Sequence, residues 1–177
     1  MVLSTHKTKT AALVLSLALL VMSFFDAPAQ CMLQLGCGIT GRLCYHFFHA
    51  NLFHAFINVW CLLAIAFYYD LEDWEFFLAW IIAATIPNCA LCIKHCAFPI
   101  VGFSGICFAL MGIILYKVAR KRYYLSWIIP FIVMGFFLPG IAATVHLYCF
   151  VVGLIVSLGV VVVLRHTSGV HKRKDRP

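Results

Sequence analysis

Long apolar runs separated by short polar breaks dominate this chain. Six segments stand out: residues 11–26, 50–69, 74–92, 103–119, 123–139 and 142–164. Each reads as an apolar helix. The connections carry the breakers: Pro28 with Gly36, Gly38 and Gly41; Asp70 to Asp73; Pro99 and Gly102; Arg120 to Arg122; Pro139 and Gly140. A bilayer core of about 30 Å takes about 20 helical residues, so several segments are a little short. That predicts a compact bundle that thins the membrane locally. There is no internal repeat, low-complexity tract or soluble domain. The expected fold is therefore all-α, a polytopic bundle of six transmembrane helices over residues 11–164. A short cytoplasmic segment, 1–10, and a basic cytoplasmic tail, 165–177, flank it.

Composition supports the membrane reading. Apolar residues make up 64% of the chain and charged residues only 11%. Soluble domains run near half apolar and a quarter charged, so the bilayer has to solvate most of this surface. The net charge of +7 raises nucleic acid as a partner, but the basic residues cluster at the chain ends and in one short loop. No aromatic-interleaved basic face exists, which excludes nucleic acid and points to membrane topology. With the N-terminus inside, Lys7, Lys9, Lys117, Arg120, Lys121, Arg122, Arg165, Lys172, Arg173, Lys174 and Arg176 all fall on the inner side. Only Arg42 and Lys94 fall outside, as the positive-inside rule expects. The first segment, with Ala27-Pro28-Ala29 after it, also fits a cleavable signal peptide over residues 1–29. An uncleaved first helix is preferred, because six helices then close with both ends inside.

Nine cysteines suggest a disulfide scaffold until their positions are read. Cys61, Cys107 and Cys149 lie inside apolar runs, where cysteine acts as a small hydrophobe. Cys31, Cys37, Cys44, Cys89, Cys92 and Cys96 lie in or near loops, where an oxidising compartment would permit a disulfide. Cys92, His95 and Cys96 match no closed zinc pattern, so no metal is expected, and no cofactor.

Polar groups inside membrane segments are costly and mark function by default. Here they are His49, His54, Asn58, Ser104 and His146, with Thr85, Asn88, Thr144 and Ser157 as milder cases. Singly, each has an ordinary explanation. A serine bonds back to the preceding turn, and a histidine or asparagine glues helices together. The combination is more telling. Ser104 lies 13 to 16 residues from Lys117–Arg120, about 20–24 Å of helix. His146 lies 19 residues from Arg165, about 28 Å. Both fall in the outer half of the bilayer. His54 and Asn58 share a helix face at i, i+4. Serine needs a neighbouring base, histidine is that base near neutral pH, and amide or imidazole N–H groups suit an oxyanion. Gly102 and Gly105 flank the serine and allow close helix approach. The carboxylates are Asp26, Asp70, Glu72, Asp73, Glu75 and Asp175. None is placed to orient His146, which leaves a dyad rather than a triad.

These residues resemble the rhomboid intramembrane serine proteases, from about Arg42 to Gly153. The run from His49 through His54 to Asn58 resembles the H-x-x-x-x-H-x-x-x-N motif of the second helix. Gly102-Phe103-Ser104-Gly105 resembles the G-x-S-G that opens the fourth, and Ala109-Leu110-Met111-Gly112 continues it. His146 with Gly153 resembles the H-x-x-G-x-x-x-G of the sixth. Arg42 resembles the arginine of the first-loop Trp-Arg pair, and Glu72 the glutamate closing the second helix. The resemblance implies that Ser104 attacks, that His146 serves as base and then acid, and that His54, Asn58 and the Ser104 N–H bind the oxyanion. His49 is then structural, holding the first loop. The implied substrates are transmembrane proteins cut near the outer face. The minimal six-helix form points to a bacterial inner membrane, and the basic residues put both termini on the cytoplasmic side. Three positions depart from the family pattern: Gly41 replaces tryptophan, Cys149 a glycine and Phe108 a tyrosine. Two other functions fit the pattern less well, an inactive rhomboid-like protein that binds transmembrane helices and a small transporter. The first commonly lacks the serine or histidine, and the second tends to show repeats that are absent here.

Overall fold

A computed structural model describes residues 2–92 and 99–174, with side chains over 7–91, 99–163 and 166. The described residues form helices α1 (Val2–Met22), α2 (Ile39–Cys44), α3 (Leu52–Tyr68), α4 (Asp73–Ala84), α5 (Asn88–Cys92), α6 (Ser104–Ile113), α7 (Lys121–Gly135) and α8 (Ala143–Lys174). Short 3₁₀ turns occupy Ala29–Cys31, Tyr45–Phe47 and Ile114–Tyr116. No strand occurs among the described residues, only one antiparallel bridge between Leu33 and Ile100. The all-α expectation holds.

By length and composition, the stretch Ala143–Val163 of α8 is the one described helix able to cross a membrane alone. The pair Ile39–Phe47 and Leu52–Tyr68, bent by 87°, qualifies only if taken together. Six spans are thus not established on this ground, and the reasons are local. The expected helix over 74–92 breaks between α4 and α5. Pro87 has no N–H to donate and disfavours helix at the residue before it. Thr85 Oγ1 donates back to the Ile81 carbonyl at 2.9 Å there. The fourth segment is a 10-residue helix that tightens into its 3₁₀ turn. Of the Cys92–His95–Cys96 grouping, His95 and Cys96 lie outside the described residues, as do Lys94, Asp175 and Arg176. Cys31, Cys37, Cys44, Cys61, Cys89, Cys107 and Cys149 are all free thiols.

Helix α6 sits at the centre. Gly105 to Leu110, Gly112 and Ile113 are all buried, as an all-apolar helix requires when neighbours surround it. It packs on α3, α4 and, most extensively, α8. The α6–α8 crossing depends on two glycines. A Cβ on Gly112 would collide with the Phe150 carbonyl oxygen, and one on Gly153 with the Ala109 carbonyl oxygen. The two backbones touch directly, which only glycine permits. Helix α1 lays Ala12, Ser16 and Leu19, one face by their spacing, into the buried interior and packs on α3.

The two ends of the bundle are chemically distinct. At one end Glu75, fully buried, pairs with Lys117 Nζ at 2.7 Å and accepts from the Tyr116 hydroxyl at 2.8 Å. Nearby, Lys9 Nζ meets Asp70 at 2.7 Å and the Thr8 hydroxyl donates to Asp73 at 2.7 Å. A cavity of about 1160 Å³ opens at this end, lined by Ile65, Tyr68, Met111, Tyr124 and Ile128 of α3, α6 and α7 among others. Ser104 and His146 do not line it and lie at the opposite end, with the first loop.

Candidate active site

The turn before α6 is set by residues distant in sequence. Leu33 and Ile100 exchange both backbone bonds, at 3.0 and 2.8 Å. Gly102 N–H donates to the Tyr45 carbonyl at 3.0 Å. Phe103 N–H donates to His49 Nε2 at 3.3 Å. The approach to Ser104 is therefore tied at three points to the segment 33–49. Gly102 has φ +133°, a conformation that side-chain-bearing residues rarely adopt. Ser104 then opens α6, where the first N–H groups have no acceptor within the helix.

Helix α8 brings in the candidate base. His146 Nε2 lies 2.8 Å from Ser104 Oγ. Phe108, one turn beyond the serine, stacks on the imidazole with centroids 4.4 Å apart and planes 21° apart. Phe131 of α7 stacks in turn on Phe108, at 6.1 Å. No carboxylate among the described residues bonds His146, so the ring is positioned by packing.

Helix α3 supplies the His54 imidazole and the Asn58 amide. Asn51 caps it, its Oδ1 accepting from His54 N–H at 2.8 Å. A Cβ built on Gly102 would sit 2.8 Å from His54 Cε1 and 3.6 Å from Asn58 Nδ2, so both side chains lie against the serine turn. Asn58 is buried, yet its Nδ2 has no partner. A buried amide left open costs free energy, and such vacancies are what an oxyanion donor requires. His49 packs edge-on to His54, centroids 5.2 Å apart. It thus holds the serine turn, a more specific role than holding its own loop.

The remaining candidates are placed as follows. Arg42 bonds the Ile86 carbonyl and, at 2.8 Å, Asn88 Oδ1, pinning α2 to the α4–α5 break. Gly105 lies where Tyr45 Oη, Ala83 Cβ and Cys149 Sγ converge, 3.1, 3.5 and 3.6 Å from a Cβ built on it. Cys149 is accommodated against that glycine, and the Ser104–His146 contact stays at hydrogen-bonding distance. Among the described residues, no group of three or more His, Cys, Asp or Glu could hold a metal ion. Sequence reasoning missed Tyr45, Leu33 and Ile100. Their contribution is mostly backbone, which carries no residue-type signal.

The rhomboid-domain family model matches residues 38–163, well over half of the chain. The match covers every residue of the site just described except Leu33. No curated protein matches the sequence. The chain therefore belongs to the rhomboid family, integral membrane proteins that act on transmembrane substrates and are generally intramembrane serine proteases.

Proposed function

We propose that this rhomboid is an active intramembrane endopeptidase that cuts transmembrane segments near the outer face. The observation that carries the reading is the 2.8 Å contact between Ser104 Oγ and His146 Nε2. For Nε2 to accept the serine proton, the neutral imidazole holds its own proton on Nδ1. Ser104 Oγ attacks the scissile carbonyl carbon as its proton passes to Nε2. The carbonyl oxygen becomes an oxyanion, received by Asn58 Nδ2, His54 and the Ser104 N–H. Protonated His146 then donates to the departing amine. Water, activated by the same imidazole, releases the acyl group from Ser104. A helical substrate has its backbone groups already bonded, so the scissile region has to unwind first.

In the topology proposed, six spans cross a bacterial inner membrane with both termini inside. The segregation of Lys9, Lys117 and their carboxylates to the end opposite Ser104 supports that orientation. The test is cleavage of a model single-pass substrate by purified protein in detergent. Wild type is expected to cut, and both Ser104→Ala and His146→Ala to abolish cutting while keeping the wild-type unfolding temperature. Undiminished cleavage by Ser104→Ala would sink the proposal. A folded wild type that never cuts, and takes no fluorophosphonate at Ser104, points to the inactive helix-binding relative.

A further inference from the structure

We infer that Cys31 and Cys44 are a disulfide site on the outer face, closing the platform that supports the serine turn. The inference goes beyond proteolysis and takes from that reading only the orientation of the bundle.

The geometry begins with Gly41 on α2. A Cβ built there would lie 2.6 Å from the Met32 carbonyl oxygen and 3.3 Å from that of Gln30. This face of α2 therefore rests directly on the 3₁₀ turn Ala29–Cys31. Cys44 follows Gly41 by three residues and so lies on the same face. It faces that turn beside Cys31, and burial, then the neighbouring Cys31 thiol, raise the Cys44 thiol above its ordinary value. Both side chains are free and partly accessible. Cys37 is the rival partner. Its Cβ lies 3.1 Å from a Cβ built on Gly41, on the N-terminal side of that glycine, whereas Cys44 lies on the C-terminal side.

Position gives the pair its consequence. Leu33, two residues after Cys31, bonds Ile100. Tyr45, directly after Cys44, receives the Gly102 N–H. A bond between the cysteines would join the two strips of chain that hold the approach to Ser104. Cys107 shows the contrast. It is buried in the core, its thiol directed to the Asn58 carbonyl at 3.6 Å, where no soluble oxidant reaches.

The chemistry is thiol–disulfide exchange with an oxidising disulfide, small or protein-borne, on the outer side. One cysteine thiolate attacks a sulfur of the oxidant, forming a mixed disulfide and expelling one thiolate. The second cysteine, as thiolate, attacks the protein sulfur of that mixed disulfide and expels the other. The protein loses two protons and two electrons, and the oxidant becomes two thiols.

The experiment uses full-length protein in detergent, with oxidised glutathione as the probe. Free thiols are alkylated, and the protein is digested and mapped by mass spectrometry. The expected result is a cross-linked peptide joining Cys31 to Cys44, lighter by two hydrogens and abolished by reductant. It should vanish in Cys31→Ser and in Cys44→Ser and persist in Cys37→Ser. It should form equally in Ser104→Ala, so loss of proteolysis and loss of the disulfide read separately. Protein alkylated directly in native membranes should yield the same peptide without added oxidant. A pair that stays reduced under oxidised glutathione, a bond made through Cys37, or fully reduced thiols in native membranes overturns the inference.

Discussion

Replacing Gly112 by alanine tests the idea that the dyad is set by a distant helix crossing. The added methyl points at the Phe150 carbonyl oxygen, with Leu154 N at 2.7 Å and the Gly153 carbonyl carbon at 2.9 Å. All three are backbone atoms, so no side chain can swing aside. Ordinary contact begins at 3.4 Å, so α6 and α8 have to part by about 1 Å. Gly112 lies eight residues from Ser104 and Gly153 seven from His146, roughly 10–12 Å along each helix. If the helices move as rigid bodies, the 2.8 Å contact opens to about 3.8 Å, beyond hydrogen-bonding range. Misplacement by 1 Å costs on the order of 10²-fold in rate, about 2.7 kcal/mol of barrier. Overpacking should also destabilise the fold by about 1–3 kcal/mol. The assay is kcat/KM on a model transmembrane substrate, with fluorophosphonate labelling of Ser104 and thermal unfolding in the same detergent. Gly159→Ala is the control on α8, because nothing lies within 4 Å of its Cβ. It should keep full activity and gain up to about 1 kcal/mol from helix propensity. Wild-type kcat/KM and unfolding temperature in Gly112→Ala, or equal losses in the control, would refute the reasoning.

Asn58→Ala should lower kcat about 10²–10³-fold if the amide receives the oxyanion. The unfolding temperature should hold or rise, since the buried Nδ2 has no partner to lose. Glu75→Ala should cost toward the lower end of about 3–5 kcal/mol. Lys117 keeps 19% exposure and a carboxylate of Glu72 at 3.8 Å, which softens the loss. Denaturation reads it, and activity at permissive temperature should survive because the cluster lies at the far end from Ser104. The hydrogen bond and charge of Lys9 hold the Asp70 carboxyl below its ordinary value of 3.8. The pairing therefore stabilises the fold above that pH and is lost as pH falls through the depressed value. Carboxyl-carbon NMR should show the Asp70 midpoint below 3.8, returning toward it in Lys9→Met.

The sequence was most informative where residue type carries the message. Six apolar runs announced a helical membrane bundle, and the His49–His54–Asn58, Ser104 and His146 motifs announced the family. Boundaries were legible wherever a breaker acts locally, as at Asp70 to Asp73. The break at Pro87 was not foreseen, because the surrounding run is apolar on both sides. Glu75 read as one acid among several near the inner end. Burial against Lys117 and Tyr116, contacts more than forty residues away, gives it a role no local pattern records.

By itself, then, the sequence determined the side chains on offer: a serine, histidines, an asparagine amide, and glycines that permit close helices. Tertiary structure alone decided that Phe150 and Ala109 are what Gly112 and Gly153 touch, and that Phe108 stacks on His146. It also decided that Leu33, Tyr45 and His49 secure the serine turn. The reason is physical. Side-chain identity is written in the sequence, whereas these supports are largely backbone N–H and carbonyl groups, alike at nearly every residue. Their partners are chosen only when distant segments meet in space.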